Sequence, residues 1–215
     1  MALDLVNKYD RIAAGFAEHS YANLDFYMQR RYGVATTWGK SLHAGDSLLE
    51  LGCGDGYLGQ LFARQGLHYC GVDLSPRMID MAEQRLLQVG LKAEFQIGDA
   101  RQLFLSKPFD AVVSYMRTFF SYVDNPLVVM RRLRPYIRKK MIVDVDPRHT
   151  PVPAALEILR EAGFVNVAWR PFFVPEEKRL PAAILRTLVA CENIPFLRGL
   201  PLHWKFVVLV KGEAW

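Results

Sequence analysis

Along most of residues 47–210, two kinds of segment with different spacings of hydrophobic residues follow each other in turn. Short apolar runs predict β-strands, and the stretches between them carry apolar residues at helical spacing. Predicted strands cover residues 47–51, 69–73, 95–99, 109–114, 141–145, 165–173 and 206–210, and predicted helices cover 57–65, 76–89, 126–136 and 153–162. Repeated strand–helix units predict an α/β fold with a mainly parallel sheet, because right-handed crossovers place helices on both of its faces.

Two segments lie outside this alternation. Residues 1–40 are rich in Tyr and Phe and predict one or two helices. Residues 171–201 are interrupted by prolines, with a helix predicted at 182–191. A length of 215 residues suits one domain, so we expect residues 1–215 to share a single core.

The composition is that of a soluble globular protein, with 51% hydrophobic and 23% charged residues. The first residues, MALDLVNKYDR, carry charges where a signal peptide needs an apolar core, and no later run has the length of a transmembrane helix. We therefore expect a cytoplasmic protein. Cys53, Cys70 and Cys191 have no paired spacing, which argues against disulfides and against a metal site.

The net charge is +5, and six of the ten residues at 131–140 (RRLRPYIRKK) are Arg or Lys. This basic run precedes the fifth predicted strand, so it falls at the edge of the sheet opposite the carboxyl ends of the strands. We interpret it as solvated surface, with contact to RNA or an anionic membrane as the alternative.

The segment LLELGCGDGYLG at residues 48–59 predicts a buried strand that opens into a glycine turn. Glycine lets backbone amides approach a ligand, and the next helix presents its positive end to that ligand. Gly54 to Gly59 satisfies G-x-G-x-x-G, with Asp73 near the spacing of a ribose-binding acid, so a nicotinamide dehydrogenase is one alternative. No Lys-Ser or Lys-Thr pair follows, which argues against a phosphate-binding loop.

Three segments at the ends of the first three strands, ELGCGDG, GVDLSPRMI and IGDARQL, bring Glu50, Asp73 and Asp99 to one edge of the sheet. Together they resemble the S-adenosylmethionine site of the class I methyltransferases. The resemblance covers residues 48–113 in motif detail. It implies a three-layer, doubly wound, Rossmann-like fold with a mainly parallel seven-stranded sheet whose last strand is antiparallel. It also implies S-adenosyl-L-methionine as the cofactor.

The resemblance implies roles for individual residues as well. Glu50 and the turn backbone would hold the methionine portion, Asp73 both ribose hydroxyls, and Asp99 the adenine amino group. The predicted cofactor residues are Glu50, Gly52, Cys53, Gly54, Gly56, Asp73, Leu74, Met78, Asp99, Ala100, Ser114, Tyr9 and Tyr21. A purely structural role stays open for each one alone, such as turn packing for Cys53.

Methyl transfer from a sulfonium is an in-line displacement, so the protein aligns donor and acceptor and supplies a base where the acceptor loses a proton. His149 is our first candidate base, with Asp146 and Tyr115 as others; a solvated loop position is the alternative for His149. Further candidates near this edge are Met116, Arg117, Phe119, Phe120, Arg148 and His203. The fourth strand ends in SYMRTF and lacks the N-P-P-Y or D-P-P-Y pattern of methyltransferases that modify amino nitrogens of bases or glutamine.

With an antiparallel last strand, as in the family, the segment after the sixth strand crosses the carboxyl-end face as a lid. We expect a helical cap (1–40), a cofactor-binding core (45–170), a lid (171–203) and the last strand (204–211). The apolar residues of the lid suit an apolar acceptor or complete a small core of their own. These residues are Phe172, Phe173, Leu180, Ile184, Leu185, Ile194, Phe196, Leu197 and Leu200.

We therefore expect a methyltransferase that acts on a small, largely apolar or aromatic acceptor at oxygen, nitrogen or carbon. An RNA or quinone methyltransferase and a non-catalytic S-adenosylmethionine-binding module are the alternatives. The expected partner is a small molecule, while nucleic acid and a membrane span are not expected. Oligomeric state has no signature in the sequence.

Overall fold

Seven strands form one sheet in the computed structural model, which describes residues 2–116, 119–194 and 206–215. The strands are β1 (Ser47–Leu51), β2 (His68–Asp73), β3 (Glu94–Ile97), β4 (Phe109–Ser114), β5 (Ile137–Val145), β6 (Val165–Pro171) and β7 (Val208–Glu213). Their order is β3-β2-β1-β4-β5-β7-β6. Strands β1 to β5 pair in parallel, and β7 is antiparallel to both β5 and β6. The predicted sheet is confirmed.

The described helices are α1 (Ala2–Ile12), α2 (Phe16–Ser20), α3 (Leu24–Thr37), α4 (Tyr57–Arg64), α5 (Pro76–Gln88), α6 (Phe119–Tyr122), α7 (Pro126–Leu133), α8 (Val152–Glu161) and α9 (Ala182–Cys191). A short 3₁₀ helix, Arg134–Tyr136, follows α7. Helix α5 begins as the sequence predicts, since the Ser75 hydroxyl accepts a hydrogen bond from Met78 N and Pro76 is the first helical residue.

Neighbouring residues of β1 enter different cores, because side chains alternate across a strand. Leu49 and Leu51 pack with residues of α7 and α8 on one face of the sheet. Leu48 packs with residues of α3, α4 and α9 on the other face. The sheet therefore lies between two helical layers.

The fifth strand begins at Ile137 rather than at residue 141, and this corrects the interpretation of the basic run. Lys140 is fully buried and donates to the carbonyl of Trp38 at 2.9 Å. Lys139 pairs with Asp46 at 2.6 Å. The end of the run thus belongs to the sheet and its contacts with α3, so it is not uniformly solvated.

Candidate functional site

The strand order reverses between β1 and β4, since the chain runs outward from β1 through β2 and β3 and then returns to β4. In open α/β sheets, ligands bind beyond the carboxyl ends of the strands at such a point. A cavity of about 480 Å³ lies there, with walls from the ends of β1 to β5 and from the first three helices. Its size is in the range of small-molecule sites.

The glycine turn after β1 forms one wall of this cavity through Glu50, Gly52, Cys53 and Gly54. Gly52 has φ +73° and lies against Met116, where a Cβ would approach the Met116 Cβ to 3.2 Å. A side chain here would be strained and would crowd the end of β4. Burial raises the pKa of the Cys53 thiol well above its usual value, so Cys53 is a neutral wall residue and no nucleophile.

Glu50 is buried at the end of β1 and accepts a hydrogen bond from the Tyr69 hydroxyl at 2.7 Å. Burial raises the pKa of the Glu50 carboxyl to about 8, opposed by the Tyr69 hydrogen bond and by the charge of Arg31. A ligand cation beside this group would favour its ionised form. Glu50 is therefore suited to hold an ammonium group.

Asp73 ends β2 and connects two backbone segments of the cavity wall. One carboxylate oxygen accepts from Gly54 N at 2.9 Å, and the other accepts from Ser75 N at 3.0 Å. Burial raises the pKa of Asp73, and these backbone hydrogen bonds oppose the shift. The carboxylate lines the cavity, where it can accept a further hydrogen bond from a ligand hydroxyl. Leu74 and Met78 line the same wall.

The loop after β3 contributes Gly98 and Ala100 to the wall, but it does not bring in Asp99. The Asp99 carboxylate is held by Arg101, with Nε at 2.9 Å and Nη2 at 2.6 Å from Oδ2. Strand β3 ends at Ile97, so Asp99 lies in the loop after the strand. Its side chain pairs there with Arg101. Asp99 therefore lies outside the cavity lining, and its adenine role stays a prediction.

Two other predicted cofactor residues do not line the cavity. Ser114 is fully buried, and its hydroxyl donates to the carbonyl of Leu51 at 3.2 Å, which joins the ends of β4 and β1. Gly56 has φ +75° and lies where a Cβ would come within 2.8 Å of the Ala82 Cβ. Gly56 therefore serves the close packing of α4 against α5.

Residues of the three amino-terminal helices line the cavity. Tyr9 and Tyr21 both line it. Asp55 in the glycine turn accepts from Ala17 N at 3.1 Å and pairs with Arg85 at 2.9 Å. This contact fixes α2 over the turn.

The three predicted catalytic residues all line the cavity on the side of β4 and β5. Burial raises the pKa of the Tyr115 hydroxyl far above its usual value, so this group stays protonated. Asp146 is bound in bidentate fashion by Arg148, with Nη2 at 2.5 Å and Nε at 2.9 Å. His149 is exposed at the mouth, and its backbone N–H donates to the carbonyl of Asp146.

The described part of the predicted lid lines the cavity through Glu176 and not through its apolar residues. Phe172 and Leu185 are buried in the core beside α3, so they complete the fold. Ile184 is 47% exposed and Ile194 is 45% exposed. Of the further residues predicted here, Arg117, Phe196, Leu197, Leu200 and His203 lie outside the described residues.

Arg31 is a wall residue that sequence reasoning missed. Its guanidinium is buried, pairs with Asp144 at 3.1 Å and lies over the rings of Tyr21, Tyr27 and Tyr115. Its Nε has no hydrogen-bond partner among the described residues. Glu50 lines the same cavity, and the charge of Arg31 lowers the pKa of its carboxyl. A buried carboxyl group and a buried guanidinium group in one cavity match the ammonium and carboxylate charges of an amino-acid tail.

Within the described ranges, no group of three or more His, Cys, Asp and Glu residues has metal-binding geometry. Across the same ranges, no helix has the length and apolar character needed to cross a membrane.

Comparison with known proteins agrees with this geometry. Residues 48–140 match the family model described as "Methyltransferase domain". A ubiquinone biosynthesis O-methyltransferase of Xylella fastidiosa is 35% identical over 89 residues, 40% of this chain and 35% of that protein. A protein of the same name from Xanthomonas euvesicatoria is 28% identical over 176 residues, 80% of this chain and 61% of that protein. The chain thus spans 35% and 61% of the lengths of these two relatives.

Solved structures share the architecture at low sequence identity. Magnesium protoporphyrin IX methyltransferase from Synechocystis, with bound S-adenosylmethionine, has a TM-score of 0.64 at 16% identity, covering 87% of this chain and 78% of that one. The cyclase SpnF has a TM-score of 0.67 at 17% identity, covering 98% and 94%. A TehB-like S-adenosylmethionine-dependent methyltransferase from Corynebacterium glutamicum has 0.63 at 20% identity, covering 100% and 98%. Residues 48–140 are thus similar to a methyltransferase domain, and the seven-stranded sheet shares its fold with these solved structures.

Proposed function

We propose that this protein transfers a methyl group from S-adenosylmethionine to a hydroxyl oxygen of a small, largely aromatic acceptor. The observation that carries the proposal is the single cavity that joins the acids ending β1 and β2 to the residues ending β4 and β5. One end of this cavity offers charged groups suited to the donor. The other offers aromatic walls and a base.

The donor end fits the cofactor of the family in chemical terms. Glu50 would accept from the ammonium group, and Arg31, with its unpartnered Nε, would donate to the carboxylate. Asp73 would accept from the ribose hydroxyls, and Leu74 and Met78 would contact the adenine. When bound, the donor supplies an electrophilic methyl carbon on a sulfonium.

The acceptor end determines the geometry of the reaction. Displacement at a methyl carbon requires the attacking oxygen to lie opposite the leaving sulfur, so the walls must align the acceptor and exclude water. Tyr115 and Met116 form the wall beside the glycine turn, and Tyr21 and Met28 form another from the helical cap. These aromatic and thioether surfaces suit a flat, apolar ring.

His149 is the base that this geometry favours. Arg148 binds both oxygens of Asp146, and burial keeps Tyr115 protonated. His149 lies at the mouth, where it can take the proton of an acceptor hydroxyl and pass it to solvent. The names of the O-methyltransferase relatives favour oxygen over nitrogen or carbon.

A second candidate is a protein that binds S-adenosylmethionine without transferring its methyl group. The similarity in fold to SpnF, a protein described as a cyclase, favours it, because one fold hosts several chemistries. The carboxylates of Asp55, Asp73, Asp146 and Glu176 outnumber the two lining guanidinium groups, those of Arg31 and Arg148. This excess argues against an RNA acceptor, since carboxylates repel phosphates.

The test is transfer of labelled methyl from S-adenosylmethionine into a fractionated small-molecule extract, with a parallel RNA fraction. We expect label in the phenolic fraction and S-adenosylhomocysteine in stoichiometric amount. Tight binding of S-adenosylmethionine without label in any fraction would instead establish the second candidate.

A further inference from the structure

The Glu50 carboxylate has a protein partner in the neighbouring strand. In the pairing of β1 with β2, Tyr69 lies opposite Leu48, and Gly71 lies opposite Glu50. Because side chains alternate across each strand, Tyr69 and Glu50 project from the same face of the sheet as diagonal neighbours. The Tyr69 hydroxyl donates to Glu50 Oε2 at 2.7 Å, and both side chains are buried. One oxygen of this carboxylate is therefore already bound by the protein.

Gly59 makes room for this tyrosine. It is the last glycine of the G-x-G-x-x-G pattern, and it lies within α4 rather than in the turn. A Cβ at this position would come within 2.5 Å of ring carbons of Tyr69 and within 2.8 Å of its hydroxyl oxygen. Any larger residue would displace the ring. The position of Tyr69 thus accounts for this glycine without a direct ligand contact.

Two aromatic rings hold the Tyr69 ring in place. Phe62 of α4 stacks on it with ring centroids 6.1 Å apart, and Phe95 of β3 meets it edge-on at 6.0 Å. Phe62 is itself fully buried. The Tyr69 hydroxyl is therefore preorganised toward Glu50, because little side-chain entropy remains to be lost when the carboxylate binds a ligand.

The hydrogen bond also affects the ionisation of Glu50. Burial raises the pKa of Glu50 to about 8, and the Tyr69 hydrogen bond lowers it more than the charge of Arg31 does. The charges of Asp73 and Asp55 act in the opposite direction. Burial and the charge of Glu50 raise the pKa of Tyr69 well above its usual value, so this hydroxyl remains a donor. Tyr69 therefore stabilises the ionised carboxylate that an ammonium ligand needs.

We infer that Tyr69 is a positioning residue for the donor, and that it holds the Glu50 carboxylate in the orientation and ionised state that bind the ammonium group. This inference rests on the proposed function, because it concerns the donor end of the same cavity. Tyr69 is not among the residues that line the cavity. It would therefore affect donor affinity only through Glu50.

The test compares two ligands that differ only in the amino group, S-adenosylhomocysteine and its desamino analogue. Titration calorimetry at pH 7 measures both affinities. The wild type should bind S-adenosylhomocysteine more tightly, because only this ligand carries the ammonium group. Tyr69→Phe keeps the ring and removes the hydroxyl, so it should weaken binding of S-adenosylhomocysteine about tenfold and leave binding of the analogue unchanged.

Two further variants separate positioning from packing. Tyr32 contacts Phe62 in the same aromatic cluster, with ring centroids 5.5 Å apart, so Tyr32→Phe should leave both affinities unchanged. In a Glu50→Gln background, Tyr69→Phe should add no further loss, because the carboxylate through which it acts is absent.

An unchanged affinity for S-adenosylhomocysteine in Tyr69→Phe, an equal loss for both ligands, or a further loss in the Glu50→Gln background would overturn the role of Tyr69. If the wild type still prefers S-adenosylhomocysteine in those cases, the proposed donor site stands. Equal wild-type affinity for the two ligands would overturn the assignment of Glu50 and this inference with it. Failure of S-adenosylhomocysteine to bind would overturn the proposed function as well.

Discussion

The carboxylate of Asp73 accepts a hydrogen bond from the backbone N–H of Gly54 at 2.9 Å, so the acid at the end of β2 holds the turn that follows β1. The same carboxylate faces the cavity and would accept from the ribose of the donor. One side chain thus shapes the site and binds its ligand.

Asp73→Asn should weaken binding of S-adenosylhomocysteine by about 1 to 3 kcal/mol, because a neutral amide replaces a charged acceptor. Titration calorimetry measures this loss. Asp110→Asn is the matched control, since Asp110 binds Ser47 at the opposite ends of β4 and β1. Equal affinity in the Asp73 variant and the wild type would contradict the assignment.

The ionisation of Glu50 should make the stability of the ligand-free protein depend on pH. Burial raises the pKa of this carboxyl from 4.5 to about 8, so the folded state favours the protonated form. Its contribution to stability is complete below the unfolded pKa and is lost as the pH rises through the folded pKa. The loss amounts to at most about 5 kcal/mol.

Glu50→Gln removes this titration while it keeps the shape of the side chain. Its stability relative to the wild type should therefore rise between about pH 5 and pH 8, as measured by urea unfolding. Parallel pH dependence in the two proteins would show that Glu50 does not titrate in this range. Binding of S-adenosylhomocysteine to the wild type should also release protons near neutral pH, since an ammonium partner ionises the carboxyl.

Arg31 should discriminate ligands by their carboxylate. The double variant Arg31→Met with Asp144→Asn is expected to bind S-adenosylhomocysteine at least about tenfold more weakly. It should bind methylthioadenosine, which lacks the amino-acid portion, as the wild type does. An equal loss of affinity for both ligands would indicate that Arg31 does not contact the amino-acid portion.

The double substitution is needed because Asp144 is itself fully buried. Arg31→Met alone removes the guanidinium from a buried pair and should cost about 3 to 5 kcal/mol of stability. Neutralising Asp144 as well should restore most of this loss in urea unfolding. A single variant as stable as the wild type would contradict the importance of the pair.

His149→Gln should lower kcat for a hydroxyl acceptor by about a factor of 10² to 10⁴, the usual contribution of a general base. The KM for the donor should stay unchanged, because His149 lies at the acceptor end. His68→Gln serves as control, since His68 is exposed at the start of β2, remote from the cavity. An unchanged kcat would indicate an acceptor that needs no protein base.

The position of Glu50 and Asp73 at the cavity could be predicted from the sequence for a physical reason. Glu50 and Asp73 end neighbouring parallel strands, and the carboxyl ends of such strands meet at one edge whatever the rest of the chain does. Asp99 breaks the pattern, because β3 ends at Ile97 and Arg101 captures the carboxylate. That pairing depends on the conformation of one loop.

No pattern in the sequence predicted that Arg31 and Glu176 would line the cavity. Arg31 stands in the polar stretch MQRRYG, and its partner Asp144 is 113 residues away along the chain. Glu176 belongs to PEEKR, which has the composition of a solvated loop. Only the packing of α3 against the segment after β6 turns both side chains into the cavity.

The central claim is that one cavity holds the donor at Glu50 and Asp73 and directs its reactive carbon toward Tyr115 and His149. A crystal structure with S-adenosylhomocysteine tests this most directly. We predict the ribose hydroxyls within hydrogen-bonding distance of Asp73, the ammonium group beside Glu50 and the sulfur facing the ends of β4 and β5. A ligand bound elsewhere, or one whose sulfur faces away from Tyr115 and His149, would contradict the account.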